Sequence, residues 1–279
     1  IVKSVSCNTR NLIGRIVTLT ILGVTIGAIS AINTWDTPMS LGVSFSAISI
    51  AHFLRYGGIN KKMILISILE SSFVLGIGIL SFIPYHINNI TFFNWIEPTT
   101  NVTTLTQIIS INGFFLFLIA TGIICILSEK FKLSLREICI TIFISISISG
   151  LLTAINHYSG AIFVSSALGI LVLFSLIKYI KNTPKYTPLF IYICMITLIG
   201  LGIIFFIDIW RIEGDIGRMN SVFKFYLQAW ILLGISAVYF TYQIIILIPK
   251  MNLIFKYLIP SAITFLLISS VFYLIFFGL

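Results

Sequence analysis

The stretch from Asp208 to Trp230 gathers three basic residues (Arg211, Arg218, Lys224) and five acidic or amide ones (Asp208, Glu213, Asp215, Asn220, Gln228) at the head of a long apolar run. Asp215 stands where a helix N-cap would, with a helix expected from Ile216 straight into that run. On such a helix Gly217, Asn220, Ser221, Lys224 and Gln228 share one face, while Val222, Phe223, Phe225, Tyr226 and Trp230 fill the rest. A polar stripe with a cation is costly in a membrane unless it faces a protein-lined cavity. The unpaired N–H groups and the positive dipole end at a helix start suit a phosphate. The chemistry predicted is an anionic lipid headgroup with Arg218 and Lys224 as phosphate ligands and Arg211, Asp215, Asn220 and Gln228 around them. Arg218 and Lys224 lie about 9 Å apart along the axis and about 120° apart in phase. Both reach one anion only if it sits at the helix start and the lysine extends back toward it. The competing reading is a loop of ion pairs, with Asp208, Glu213 and Asp215 against Arg211 and Arg218, that merely ends a helix.

A second polar cluster, Asn33-Thr34-Trp35-Asp36-Thr37-Pro38, reads as a tight turn between two apolar runs. Its one acid, Asp36, is either a turn residue or a general base or metal ligand facing the same cavity as the 208–230 stretch. Glu70 lies inside an apolar run, and His52 lies about a turn inside its neighbour, so the two are placed to pair. That pair is a structural hydrogen bond or, in the sharper reading, a proton path. His86 and His157 fall in loops and read as interface residues that could join the same site. Cys7, Cys125, Cys139 and Cys194 show no paired spacing, so neither a disulfide framework nor a zinc site is supported. No GxxxxGK[ST], HExxH, CxxC or GxSxG pattern occurs, and no long internal repeat favours an inverted-repeat transporter.

The elements that must position these residues are membrane helices. Of 279 residues 58% are apolar and 9% charged, against roughly 25% charged in a soluble domain. So few charges cannot cover a soluble fold, and the net charge of +9 sits in short clusters between apolar runs, which excludes a nucleic-acid partner. The expected fold is all-α, a polytopic transmembrane bundle. Nine runs approach the roughly 20 residues that a span needs: about 16–34, 40–55, 63–83, 107–127, 138–156, 161–178, 188–208, 228–248 and 257–277. The second is the weakest, being short and rich in serine, and reads as a tilted or half-inserted helix. The chain begins at Ile1 rather than Met, so a single transmembrane domain over 1–279 is expected to be the C-terminal part of a longer membrane protein.

Fourteen of the 17 basic residues fall in alternate loops: 1–15, 55–62, 128–137, 178–187 and 249–256. Only Arg211, Arg218 and Lys224 fall on the other side. The positive-inside rule then puts the N-terminus in the cytoplasm and the C-terminus outside. Trp35, Trp95, Trp210 and Trp230 all lie at or near outer loops, where indole rings favour the headgroup level. Two sequons, at Asn89 and Asn101, lie in the outer loop 84–106.

Asn33–Pro38 and Gly214–Trp230 resemble the two signature stretches of the YYY membrane-protein family, a domain of unknown function found in archaea and Chloroflexi. Thr106–Leu118 resembles a third stretch, and Ser221 stands where that family more often has Thr. The family is similar at fold level to the GT-C glycosyltransferases, which use polyprenyl-phosphate-linked sugars. The resemblance implies an enzyme that moves a sugar from a lipid-phosphate donor to an acceptor at the outer face. In those enzymes a catalytic acid sits in the first outer loop, which this chain lacks if it is truncated, and Asp36 is then a candidate second acid. A divalent metal ion is the cofactor the resemblance leaves open. The alternative is a non-catalytic membrane subunit or lipid-binding scaffold that works with other membrane subunits.

Overall fold

The computed structural model describes residues 9–88, 95–99, 101–156, 158–182 and 188–277. Cys7, Asn89 and His157 lie outside them. Among the described residues nine helices are long and apolar enough to cross a membrane, and the polytopic all-α bundle is the fold observed. The chain divides into two compact units, residues 1–102 with 183–232 and residues 103–182 with 233–279.

The first unit contains α1 (Thr9–Ile32), α2 (Thr37–Tyr56), α3 (Lys61–Ser81), the short α4 (Ile83–Asn88) and strand β1 (Ile96–Pro98). A single 3-10 turn, Thr34–Asp36, links α1 to α2, with the Asn33 side chain accepting the Trp35 N–H. Pro38 in the first turn of α2 needs no N–H partner there. The helix ends at Gly57, whose φ of 68° closes it in the left-handed conformation. Asn60 then caps α3 by accepting the Met63 N–H at 2.8 Å. α1 and α3 pack through glycines. A Cβ on Gly23 would lie 2.7 Å from the Val74 carbonyl oxygen, and one on Gly27 would lie 2.5 Å from that of Gly78. Only small residues allow backbones this close in a membrane. The weak second run forms a helix of 20 residues, within an apolar segment, Thr34–Tyr56, long enough to cross a membrane. Its polar side chains are buried against protein: Ser44, Ser46 and His52 are all inside.

α8 (Pro188–Ile207), strand β2 (Trp210–Ile212) and residues 219–232 of α9 (Met219–Leu247) complete this unit. β1 and β2 pair antiparallel, with Glu97 opposite Arg211 and Pro98 opposite Trp210.

The second unit holds α5 (Leu105–Cys125), α6 (Leu135–Ile155), α7 (Gly160–Asn182), the rest of α9 and α10 (Leu253–Phe277). Two capping boxes start its helices, Thr104 with Gln107 and Ser134 with Glu137. A π turn over Ile126–Lys130 ends α5. Gly122 seats the Phe240 ring, and Gly160 sits against the Leu105 backbone with its N–H donated to the Thr103 carbonyl at 2.8 Å.

Candidate functional site

After β2, residues 213–218 fold as a turn rather than as the helix expected from Ile216. Gly217 and Arg218 both have positive φ, 59° and 78°, which a right-handed helix cannot contain, so α9 starts at Met219. Asp215 nonetheless caps it. One carboxylate oxygen accepts the Asn220 N–H at 3.0 Å, and the other accepts both the Ser221 N–H and the Ser221 hydroxyl at 2.7 Å. Ser221 Oγ in turn accepts the Ile212 N–H at 2.9 Å, which ties the helix start to β2. Burial pushes the Asp215 carboxyl up, but the hydrogen bonds from Ser221 and Asn220 and the nearby Arg211 charge outweigh it and hold the group below its usual range. The N–H groups expected to receive a phosphate are therefore occupied by the protein's own carboxylate.

Arg218 is also engaged inside the protein. Its guanidinium pairs with the fully buried Asp208 carboxylate and donates to the Ile207 carbonyl at 3.3 Å. Arg211 lies across the ribbon with Nε 2.9 Å from a Glu97 oxygen, and it donates to the Asp215 carbonyl at 3.4 Å. Both arginines thus form ion pairs, as the competing sequence reading has it, although Glu97 was not among the expected partners. Glu97 carries no signal in the sequence, because a three-residue strand has no periodicity to read.

Asp36 and the start of α9 meet directly. Gln228 Nε2 donates to the Asp36 carboxylate and lies 3.4 Å from the Trp35 carbonyl oxygen. The Trp35 ring stands edge-on to Phe225, centroids 5.9 Å apart. Lys224 is one turn before Gln228 on the same face, about 6 Å along the axis. It is half-buried, and among the described residues it has no hydrogen-bond or ion-pair partner. Asn220, one turn further, is exposed at its side chain.

Helix length sets the depth of these groups. α9 has 29 residues, about 43 Å of helix against about 30 Å of hydrocarbon. Counting about 20 residues back from Leu247 brings the hydrocarbon boundary to Gln228. The turns carrying Lys224 and Asn220 then lie beyond the roughly 20 residues that a crossing needs. A divalent metal does not fit well here, since Asp36 supplies one carboxylate already held by Gln228. Among the described residues no three His, Cys, Asp or Glu side chains gather to hold a metal.

A second charged cluster joins α1, α2 and α3. His52 Nε2 is 2.9 Å from a Glu70 oxygen, so the expected pair forms. Arg15 pairs with the same glutamate and lies 3.0 Å from His52 Nε2. Arg15, counted with the loop cations in the charge balance, is thus inside the span Leu12–Ile32. Its counter-charge on α3 permits that position. His86 lies in the last turn of α4 with its ring edge-on to that of Tyr85, and among the described residues no hydrogen bond or ring contact joins it to Asp36.

Among the described residues, nine helices long and apolar enough to cross a membrane, with Arg15 paired to Glu70 and Arg218 to Asp208, define a multi-pass integral membrane protein. The chain belongs to the family described as uncharacterized membrane protein (DUF2298), matched over residues 4–233. This is the family expected from the two signature stretches, and its match ends within α9, before α10. No curated protein and no solved structure matches the chain.

Proposed function

We propose that this protein binds a phosphorylated lipid at its extracytoplasmic face, with the N-terminus in the cytoplasm and the C-terminus outside. The finer reading is a GT-C-like glycosyltransferase acting on a lipid-phosphate-linked sugar. The observation that carries the proposal is Lys224, a cation without a partner among the described residues, beyond the roughly 20 residues that a crossing needs and one turn from the Asp36–Gln228 contact. Lys224 offers a point charge to the phosphate, and Asn220 adds an amide beside it. Arg211, Asp215 and Arg218 hold the turn that presents them. In the transfer step an acceptor hydroxyl attacks the anomeric carbon, and the bond from that carbon to the phosphate oxygen breaks. The phosphate leaves with the electron pair, and Asp36 takes the hydroxyl proton. Lys224 offsets the charge that develops on the leaving phosphate.

The second reading is a lipid-binding scaffold that works with other membrane subunits. It is favoured by the Asp36 carboxylate already being held by an amide, as a turn residue would be. Both readings need the lipid site. In nanodiscs, Lys224→Met should weaken binding of phosphatidic acid about tenfold, the worth of one charge-assisted contact. Unchanged binding in that variant ends both readings. Turnover of a radiolabelled polyprenyl-phosphate sugar that Asp36→Asn abolishes selects the enzyme, and binding without turnover selects the scaffold.

A further inference from the structure

Gln228 has two ends with different fates. Its amide nitrogen is committed to Asp36 and the Trp35 carbonyl. Its carbonyl oxygen Oε1 is buried and accepts no hydrogen bond among the described residues, in a residue only 5% exposed. Turning the amide over does not relieve this, because Oε1 would then face the Asp36 carboxylate and the bond would be lost. A buried acceptor without a donor is destabilising, since it has given up its hydrogen bonds to water. A buried acceptor without a donor among the described residues thus lies beside a carboxylate, one helical turn from an ammonium that has no partner among them. Two acceptors side by side repel phosphate oxygens and attract a hydroxyl. Gln228 is therefore unsuited to the phosphate role expected for it from the sequence.

We propose that Gln228 Oε1, with Asp36 beside it, accepts a hydrogen bond from a hydroxyl on the ligand's headgroup, so that the site selects phosphorylated lipids whose headgroups are hydroxylated. This rests on the lipid-phosphate reading and deepens it. Lys224 holds the phosphate, and Gln228 reads what the phosphate carries. A ligand hydroxyl satisfies the orphaned oxygen, whereas a headgroup lacking one leaves it buried and unfilled, which is the basis of discrimination.

The test uses two lipids that differ only in headgroup hydroxyls, phosphatidylglycerol and phosphatidylpropanol, titrated against the full chain in nanodiscs. Unmutated protein should bind phosphatidylglycerol about fivefold more tightly, as one neutral hydrogen bond allows. Gln228→Met should bring the ratio to one. Equal affinities in the unmutated protein overturn the proposal, and that arm needs no variant to fold. A preference that survives Gln228→Met also overturns it. The lipid-phosphate reading fails separately, when Lys224→Met leaves the binding of both lipids unchanged.

Discussion

Replacing Arg218 by methionine separates a structural arginine from a ligand. The Arg218 side chain is 8% exposed, and its partner Asp208 is fully buried at its carboxylate. Methionine fills similar space and removes the cation next to that carboxylate. Breaking a buried pair from one side costs about 3–5 kcal/mol, most of it the charge left behind. At roughly 2–4 °C per kcal/mol for a chain of this class, the melting midpoint in a mild detergent should fall on the order of 10 °C. Neutralising the other side as well, with Asp208→Asn in the same chain, should recover much of the loss. The double-mutant cycle should then show a coupling of at least about 2 kcal/mol. Lipid binding by the surviving folded protein should be nearly unchanged, because the guanidinium faces Asp208 and the Ile207 carbonyl. If Arg218→Met instead melts within about 1 kcal/mol of the unmutated protein and loses phosphatidic acid binding, Arg218 is a ligand and the reasoning from its ion pair is wrong.

Glu70→Gln should destabilise the protein by a similar margin, since Arg15 and His52 both converge on that carboxylate, and Arg15→Met with Glu70→Met should melt closer to the unmutated chain; thermal scans of the three proteins check this. Gly160→Ala should abolish the monodisperse peak in size-exclusion chromatography, because the new Cβ would lie 2.2 Å from the Leu105 nitrogen, whereas Gly76→Ala, with nothing within 4 Å, should be neutral or slightly stabilising. The folded-state pKa of Asp215 is depressed, so its contribution is complete above the unfolded carboxylate value of about 4 and is lost as pH falls through the lower folded value. The melting difference between the unmutated protein and Asp215→Asn should therefore be constant from pH 7 to about pH 5 and shrink only below about pH 4. A cysteine placed at the exposed Asn101 should react with an impermeant maleimide on intact cells, and labelling only after permeabilisation would reverse the proposed orientation.

The nine membrane-length helices among the described residues were legible in the sequence because a lipid solvent imposes one requirement, about 20 apolar residues per crossing, that needs no knowledge of neighbours. Asp215 as the cap of α9 was legible for the same local reason, an acid placed just before an apolar run. The family was legible in Asn33–Pro38 and Gly214–Trp230, two short stretches of unusual polarity. Where the helix begins was not, because the left-handed turn at Gly217 and Arg218 accompanies an ion pair between Arg218 and Asp208 that local sequence pattern does not encode. Nor were the charge partners. Arg211 meets Glu97 only because β1 and β2 pair, and Arg15 meets Glu70 only because Gly23 and Gly27 let α1 close on α3. Gln228 and Asp36 stand 192 positions apart, and their contact exists only once the bundle has formed. Composition and spacing set what each segment must do to enter a membrane. Which buried charge answers which is settled by packing, since a low-dielectric interior makes an unpaired charge untenable and the partner is whichever group the fold brings within reach.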